Sequence, residues 1–139
     1  MSMYYCDDCI LFLLSKAHQN VYGKYKKRLQ GYGLTPSQHL VLFALSEEEG
    51  ISAGELGKRL TLDNATLSGI LDRLSDGGWV IKESSEEDKR SLKLYLTATA
   101  KEQIPLLTKE TTEANQEALS SFGLEERVLL KRLLKDMQR

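Results

Sequence analysis

Asn64, Ala65, Thr66, Leu67 and Ser68 follow directly on Asp63, an aspartate placed to cap a helix. Asp88, Lys89 and Arg90 sit inside Ser84 to Ser91, a run too polar to bury. Both clusters have the chemistry of contact with a nucleic acid. Amides and hydroxyls at the start of a helix pair with base edges in a major groove, and Ala65 or a threonine methyl meets thymine methyls. A guanidinium on an exposed tip suits a narrow, A·T-rich minor groove. Ser84 and Lys93, on either side of the tip, are placed to touch phosphate. The plainer account is that Asp63, Asn64 and Thr66 cap a helix and that the tip is solvated.

The segment from Ser52 to Thr97 positions these groups. Ser52 and Glu55 have the Ser-x-x-Glu spacing of a capping box opening a short helix with Leu56 and Leu60 apolar. Leu62-Asp63 makes a corner. A second helix then carries Leu67, Ile70, Leu71 and Leu74 on one side, at spacings of three and four. Gly77-Gly78 stops it, because the residue past a helix commonly adopts the left-handed conformation that glycine takes without strain. Trp79 to Glu83 and Leu92 to Leu96 read as strands, the second alternating Leu92, Leu94 and Leu96 against Lys93 and Tyr95. Two helices at a tight corner followed by a hairpin form a winged helix-turn-helix, whose second helix offers its N-terminal residues to DNA.

SEEDKRSLKLYLT resembles the Asp-x-Arg…Leu-Thr signature that closes the wing in the MarR family of bacterial transcription regulators. LDNATLSGILDRLSDGGWV resembles that family's recognition helix and the turn into its first wing strand. The resemblance runs from about Leu11 through the C-terminal helices. It implies that Arg90 is the arginine of the minor groove and Asp88 its orienting carboxylate, shared with Arg73. Many relatives carry a basic residue where Gly69 stands here, so shape readout is expected to take a larger share of specificity.

The flanks have the composition of a dimerisation layer. Cys6 to about Gln30 reads as one helix with a wide apolar stripe (Ile10, Leu14, Ala17, Val21 and Tyr25, widened by Leu11, His18, Tyr22 and Leu29), suited to burial on two sides. Its basic end, Lys24 to Arg28, is expected to be solvated. Thr35, Pro36 and Gln38 restart a helix with a capping box. Glu47 to Gly50 reads as a loop. Thr97 caps a long helix containing Pro105, expected as a kink. After Phe122-Gly123 a last helix runs from Leu124 to Met137. The expected fold is mainly α with a small β-wing, a winged helix-turn-helix over residues 35–97. Flanking it, residues 1–34 and 98–139 form a helical dimerisation layer, which the resemblance also implies. His18, Tyr22, Tyr25, His39 and Phe43 border the crevice between layer and reading head, where relatives bind phenolic or aromatic carboxylate ligands; the simpler role for either histidine is in the core.

Cys6 and Cys9 leave three readings open: packing thiols, a redox sensor, or half of a metal site completed by a partner chain. On one helix their Cβ atoms are roughly 5–6 Å apart, too far for a disulfide unless the helix frays. The resemblance is closest to the branch that senses organic peroxides through a lone cysteine, but that position aligns with Leu11, and the branch's tyrosine partner with Tyr25. No cofactor is expected, and no residue set is assigned to a metal.

The formal net charge is −1, and Ser52 to Thr97 holds seven basic and eight acidic residues. Affinity for DNA follows cations placed at phosphates rather than net charge. Enzymatic constellations are missing: no Gly-rich phosphate loop, no His-Glu-x-x-His, no nucleophile elbow. No apolar run reaches the roughly 20 residues of a membrane span, so the cytoplasm is the expected location. The reading is a homodimeric repressor on a pseudo-palindromic operator, released by a small aromatic ligand. The other class left open is a winged helix used for protein interaction, which a salt titration on DNA separates.

Overall fold

The structure is a computed structural model that describes residues 6–84, 87 and 91–139. Its helices are α1 (Ile10–Leu29), α2 (Pro36–Glu47), α3 (Ala53–Leu60), α4 (Asn64–Asp76), α5 (Ala98–Ala118) and α6 (Leu124–Asp136). An antiparallel hairpin, β1 (Val80–Ser84) and β2 (Leu92–Leu96), stands between α4 and α5. The expected mainly helical architecture with a two-stranded wing is what forms.

N-cap side chains start four of these helices by satisfying backbone donors that have no partner within the helix. Gln38 N–H donates to Thr35 Oγ1 at 3.2 Å while Thr35 N–H donates to the Gln38 side chain at 3.0 Å, a complete capping box. Thr66 N–H donates to Asp63 at 2.7 Å, and Ala100 N–H to Thr97 at 3.0 Å. At Ser52 half of the expected box forms among the described residues: Glu55 N–H donates to Ser52 Oγ at 3.2 Å, without a return bond. The corner between α3 and α4 begins one residue before the expected Leu62-Asp63, with Thr61 in the left-handed region at φ 55°.

The core lies under the winged helix. Leu42 and Leu45 of α2, Leu56 of α3, Leu71 and Leu74 of α4, Leu94 of β2 and Leu107 of α5 meet there, all buried. Each such side chain contributes about 1.5–3 kcal/mol by leaving water. The hairpin pairs Val80 with Leu96, Lys82 with Leu94 and Ser84 with Leu92. Val80, Leu94 and Leu96 are buried, so this set faces the core, while Ile81, Glu83, Lys93 and Tyr95 face out. Gly78, at φ 78°, turns the chain out of α4 into β1.

Part of the loop expected between α2 and α3 joins the sheet. Gly50 N–H donates to Leu94 O at 2.8 Å, Leu94 N–H donates to Ile51 O at 3.1 Å, and Ser52 bridges Lys93. Glu49 anchors the junction, its carboxylate accepting from Leu96 N–H at 3.0 Å and lying 3.2 Å from Lys101 Nζ. The Leu96 bond holds that carboxyl below its usual pKa.

α1 packs along α5 and against α2. The basic end expected to be solvated is pinned at Arg28, whose guanidinium lies 3.4, 2.8 and 3.2 Å from Glu110, Glu113 and Glu117 of α5. The first helix also starts later than expected. Cys6–Asp8 is a 3-10 turn, and Cys9 is the residue before α1, extended at φ −80° and ψ 127°. Asp7 and Asp8 favour such a start, since short acidic side chains compete for nearby backbone donors. Cys6 and Cys9 therefore do not share an α-helical face, and the spacing argument against bridging them falls. α5 continues as helix through Pro105. Every residue of α6 is exposed or half-buried. Among the described residues, no helix is long and apolar enough to cross a membrane.

Candidate DNA interface and effector pocket

Asn64, Ala65, Thr66 and Ser68 are exposed at the N-terminal end of α4. Leu67 departs from the expected base-facing set: it is 2% exposed and belongs to the core, because its side of the helix packs on Gly57 of α3. Thr66 does two jobs, its hydroxyl donating to Asp63 Oδ2 at 3.0 Å beside the backbone cap. These bonds hold the Asp63 carboxyl below the usual carboxylate range. Asp63 is thus a carboxylate at neutral pH and fixes the start of the helix, leaving the next four residues to face outward or inward by helical position.

The wing stands beside this end. A cleft of about 320 Å³ separates them, with Asn64, Ser68 and Asp72 of α4 on one wall and Lys82 and Leu92 of the hairpin on the other. Ser84 and Lys93, read together as phosphate contacts, lie on opposite faces of the hairpin. Arg73 is exposed in the last turn of α4. Asp88, Lys89 and Arg90 lie outside the described residues. Lys82 and Asp72 are groups at this surface that sequence reasoning did not single out. The signal for Lys82 was its place in strand alternation, where a lysine occupies a core-facing position.

A second cavity, of about 230 Å³, opens between α1 and α2. Of the five residues expected there, His18, Tyr22, Tyr25 and His39 line it, together with Val21, Pro36, Ser37 and Leu40. Phe43 does not line it; it stacks edge-on behind His39, ring centroids 4.1 Å apart, as part of the wall's support. His39 is 1% exposed, and burial holds its imidazole below the ordinary value, so it is neutral at pH 7. The Tyr25 hydroxyl donates to Asn115 of α5, and burial raises its pKa. Asn115 and Thr111, whose hydroxyl meets His39 Nε2, were missed because a polar face on a long helix reads as solvated. Cys9 is exposed. Among the described residues, no three His, Cys, Asp or Glu side chains gather as a metal site would require.

Helices meeting at a corner and a two-stranded hairpin beside an exposed polar helix start define a winged helix-turn-helix protein. Residues 32–91 match the model of the MarR family. The chain is 35% identical over 94 residues to the HTH-type transcriptional regulator SarZ of Staphylococcus epidermidis, a match covering 68% of this chain and 62% of that protein. It is 30% identical over 119 residues to SarZ of Staphylococcus aureus, covering 86% of this chain and 76% of that one. The chain thus spans less than two thirds of the first of these relatives. Among solved structures it resembles a MarR transcriptional regulator from Methanosarcina mazei Go1 (27% identity, TM-score 0.81, 90% of each chain). It also resembles a mutant Escherichia coli MarR complexed with operator DNA (26% identity, TM-score 0.85, 91% of each chain). The chain belongs to the MarR family of transcriptional regulators.

Proposed function

We propose that this chain is a homodimeric repressor that binds a pseudo-palindromic operator and is released by a small aromatic ligand. The observation that carries the DNA-binding reading is the exposed Asn64, Ala65, Thr66 and Ser68 at the start of α4, set beside a wing. The frame also resembles the E. coli MarR complexed with operator DNA. Residues 35–97 serve as reading head, with α4 in the major groove and Arg90 of the wing in the minor groove. Residues 1–34 and 98–139 serve as the dimer layer. Two-fold symmetry then sets half-sites about one helical turn apart.

The cavity between α1 and α2 supports the ligand part of the reading. One wall belongs to the layer and the other to the head, so an occupant bears on both at once. A ligand shifts such a joint only by binding its two states unequally. Tyr22 and Tyr25 offer ring faces and phenolic oxygens to an aromatic acid or phenol, and the buried His39 closes the wall.

The test is a fluorescence anisotropy titration with duplexes from the promoter of the adjoining gene, repeated across salt. A linear fall of log affinity with log salt is the expected result. Lack of binding even at low salt would favour the protein-interaction module. Arg90→Ala is expected to weaken operator binding by at least about 1 kcal/mol. Adding benzoate tests the release step, with weaker operator binding and a raised melting temperature expected together.

A further inference from the structure

Lys82 occupies an unusual place for a lysine. The hairpin register sets it opposite the buried Leu94, in the row of Val80 and Ser84 that faces the core. A lysine there lays its aliphatic stem over apolar surface and must bring its ammonium out to a polar edge. It emerges into the cleft between α4 and the wing, where Nζ lies 2.5 Å from Asp72 Oδ1. Asn64, Ser68 and Asp72 form one stripe of α4 at spacings of four, so the ammonium faces the same stripe as two of the exposed polar residues at the helix start.

We infer that Lys82 is a ligand for a backbone phosphate of DNA and that Asp72 is the counter-charge that holds it in the free protein and yields it on binding. This rests on the DNA-binding reading above. A helix in the major groove and a hairpin in the adjoining minor groove straddle the sugar–phosphate strand between those grooves. On that docking the strand runs along the cleft between α4 and the wing, where Lys82 is the cation among the described lining residues. The exchange is feasible because the pair is exposed on one side: the Lys82 side chain is 27% accessible but that of Asp72 is 61% accessible. Exposed ion pairs hold weakly. A phosphate, by contrast, releases condensed counterions when neutralised, a gain that Asp72 does not offer. Asp72 acts as a brake on affinity while keeping the lysine stretched toward the cleft.

The competing account makes the pair a brace that fixes the wing to the helix, and the two accounts differ in sign. Binding of a 30-base-pair duplex to the full chain would be measured across salt for wild type, Lys82→Met, Lys82→Arg and Asp72→Asn, with melting curves to show that each folds. The expected result is that Lys82→Met weakens binding and lowers the log–log salt slope by about 0.9, that Lys82→Arg keeps the slope, and that Asp72→Asn tightens binding by up to about fivefold. Weaker binding in both Asp72→Asn and Lys82→Met would establish the brace and overturn the inference, as would an unchanged slope in Lys82→Met. Should wild type bind no duplex at all, the DNA-binding reading fails and takes this inference with it. Wild-type binding with indifferent variants removes only the role of Lys82.

Discussion

His39 Nε2 lies 2.7 Å from Thr111 Oγ1, tying α2 of the winged helix to α5. The threonine hydroxyl also donates to Leu107 O at 3.0 Å, so its single proton is committed and it accepts from Nε2–H. Nδ1 is then the bare ring nitrogen, buried without a partner among the described residues. Acid must place a proton there and strand a cation inside. Because the folded imidazole has a lower pKa than the free one, the unfolded chain binds more protons as pH falls. Stability is expected to be full above about pH 6.5 and to decline below it. His39→Gln should flatten the dependence of melting temperature on pH between 7.5 and 5. A parallel decline in both proteins would mean that another group is responsible.

Arg28 faces three carboxylates of α5, at positions 110, 113 and 117. Removing the guanidinium leaves three like charges along one side of a helix. Arg28→Met is therefore expected to melt several degrees below wild type in low salt, and the gap should narrow as salt screens the glutamates. A gap that ignores salt would assign the loss to packing of the arginine stem.

Gly50 sits at φ 84° beneath the Tyr95 ring, and its N–H joins the chain ahead of α3 to Leu94 of β2. An L side chain in that conformation costs about 1–2 kcal/mol. Gly50→Ala should show that loss in urea melts with an unchanged m-value.

Asn64 is exposed and Leu67 buried within one turn of α4, so the proposed recognition can be tested apart from folding. Asn64→Ala should leave the melting curve alone while reducing discrimination between operator and random duplex by about 1–3 kcal/mol. Leu67→Ala, by opening the core, should cost about 2–5 kcal/mol of stability. Loss of discrimination in neither variant would move base reading away from this end of α4.

What was legible from sequence was local. The caps at Thr35, Asp63 and Thr97 depend on residues three apart, and the alternation of Leu92, Leu94 and Leu96 declares its own face. What was not legible depends on partners remote in the chain. Arg28 looked solvated because its glutamates lie more than eighty residues on. Gly50 looked like loop because the strand that takes its bond lies more than forty residues on. Leu67 looked available because the same apolar stripe serves a core or a groove until α3 is placed against it. Cys9 shows the opposite failure, where a continuous apolar pattern hid an extended residue before the helix.

The apolar surface left over argues for a second chain. Leu11 and Leu13 of α1 are exposed, as are Leu124, Val128, Leu129, Leu133 and Leu134 of α6 and Met137 just past its end. A single domain rarely leaves so many large apolar side chains of two helices in water, and a two-fold partner presenting the same helices covers them without new sequence. Leu129→Glu/Leu133→Glu puts two charges into that surface while leaving the core untouched. The variant is expected to sediment at half the wild-type mass with an unchanged helical spectrum. It should also bind operator at least about a hundredfold more weakly, because two half-sites are no longer engaged by one linked pair of heads. A variant that keeps the dimer mass would place the interface elsewhere. If it becomes monomeric but binds as tightly as before, each head acts alone, and the two-fold operator loses its physical basis.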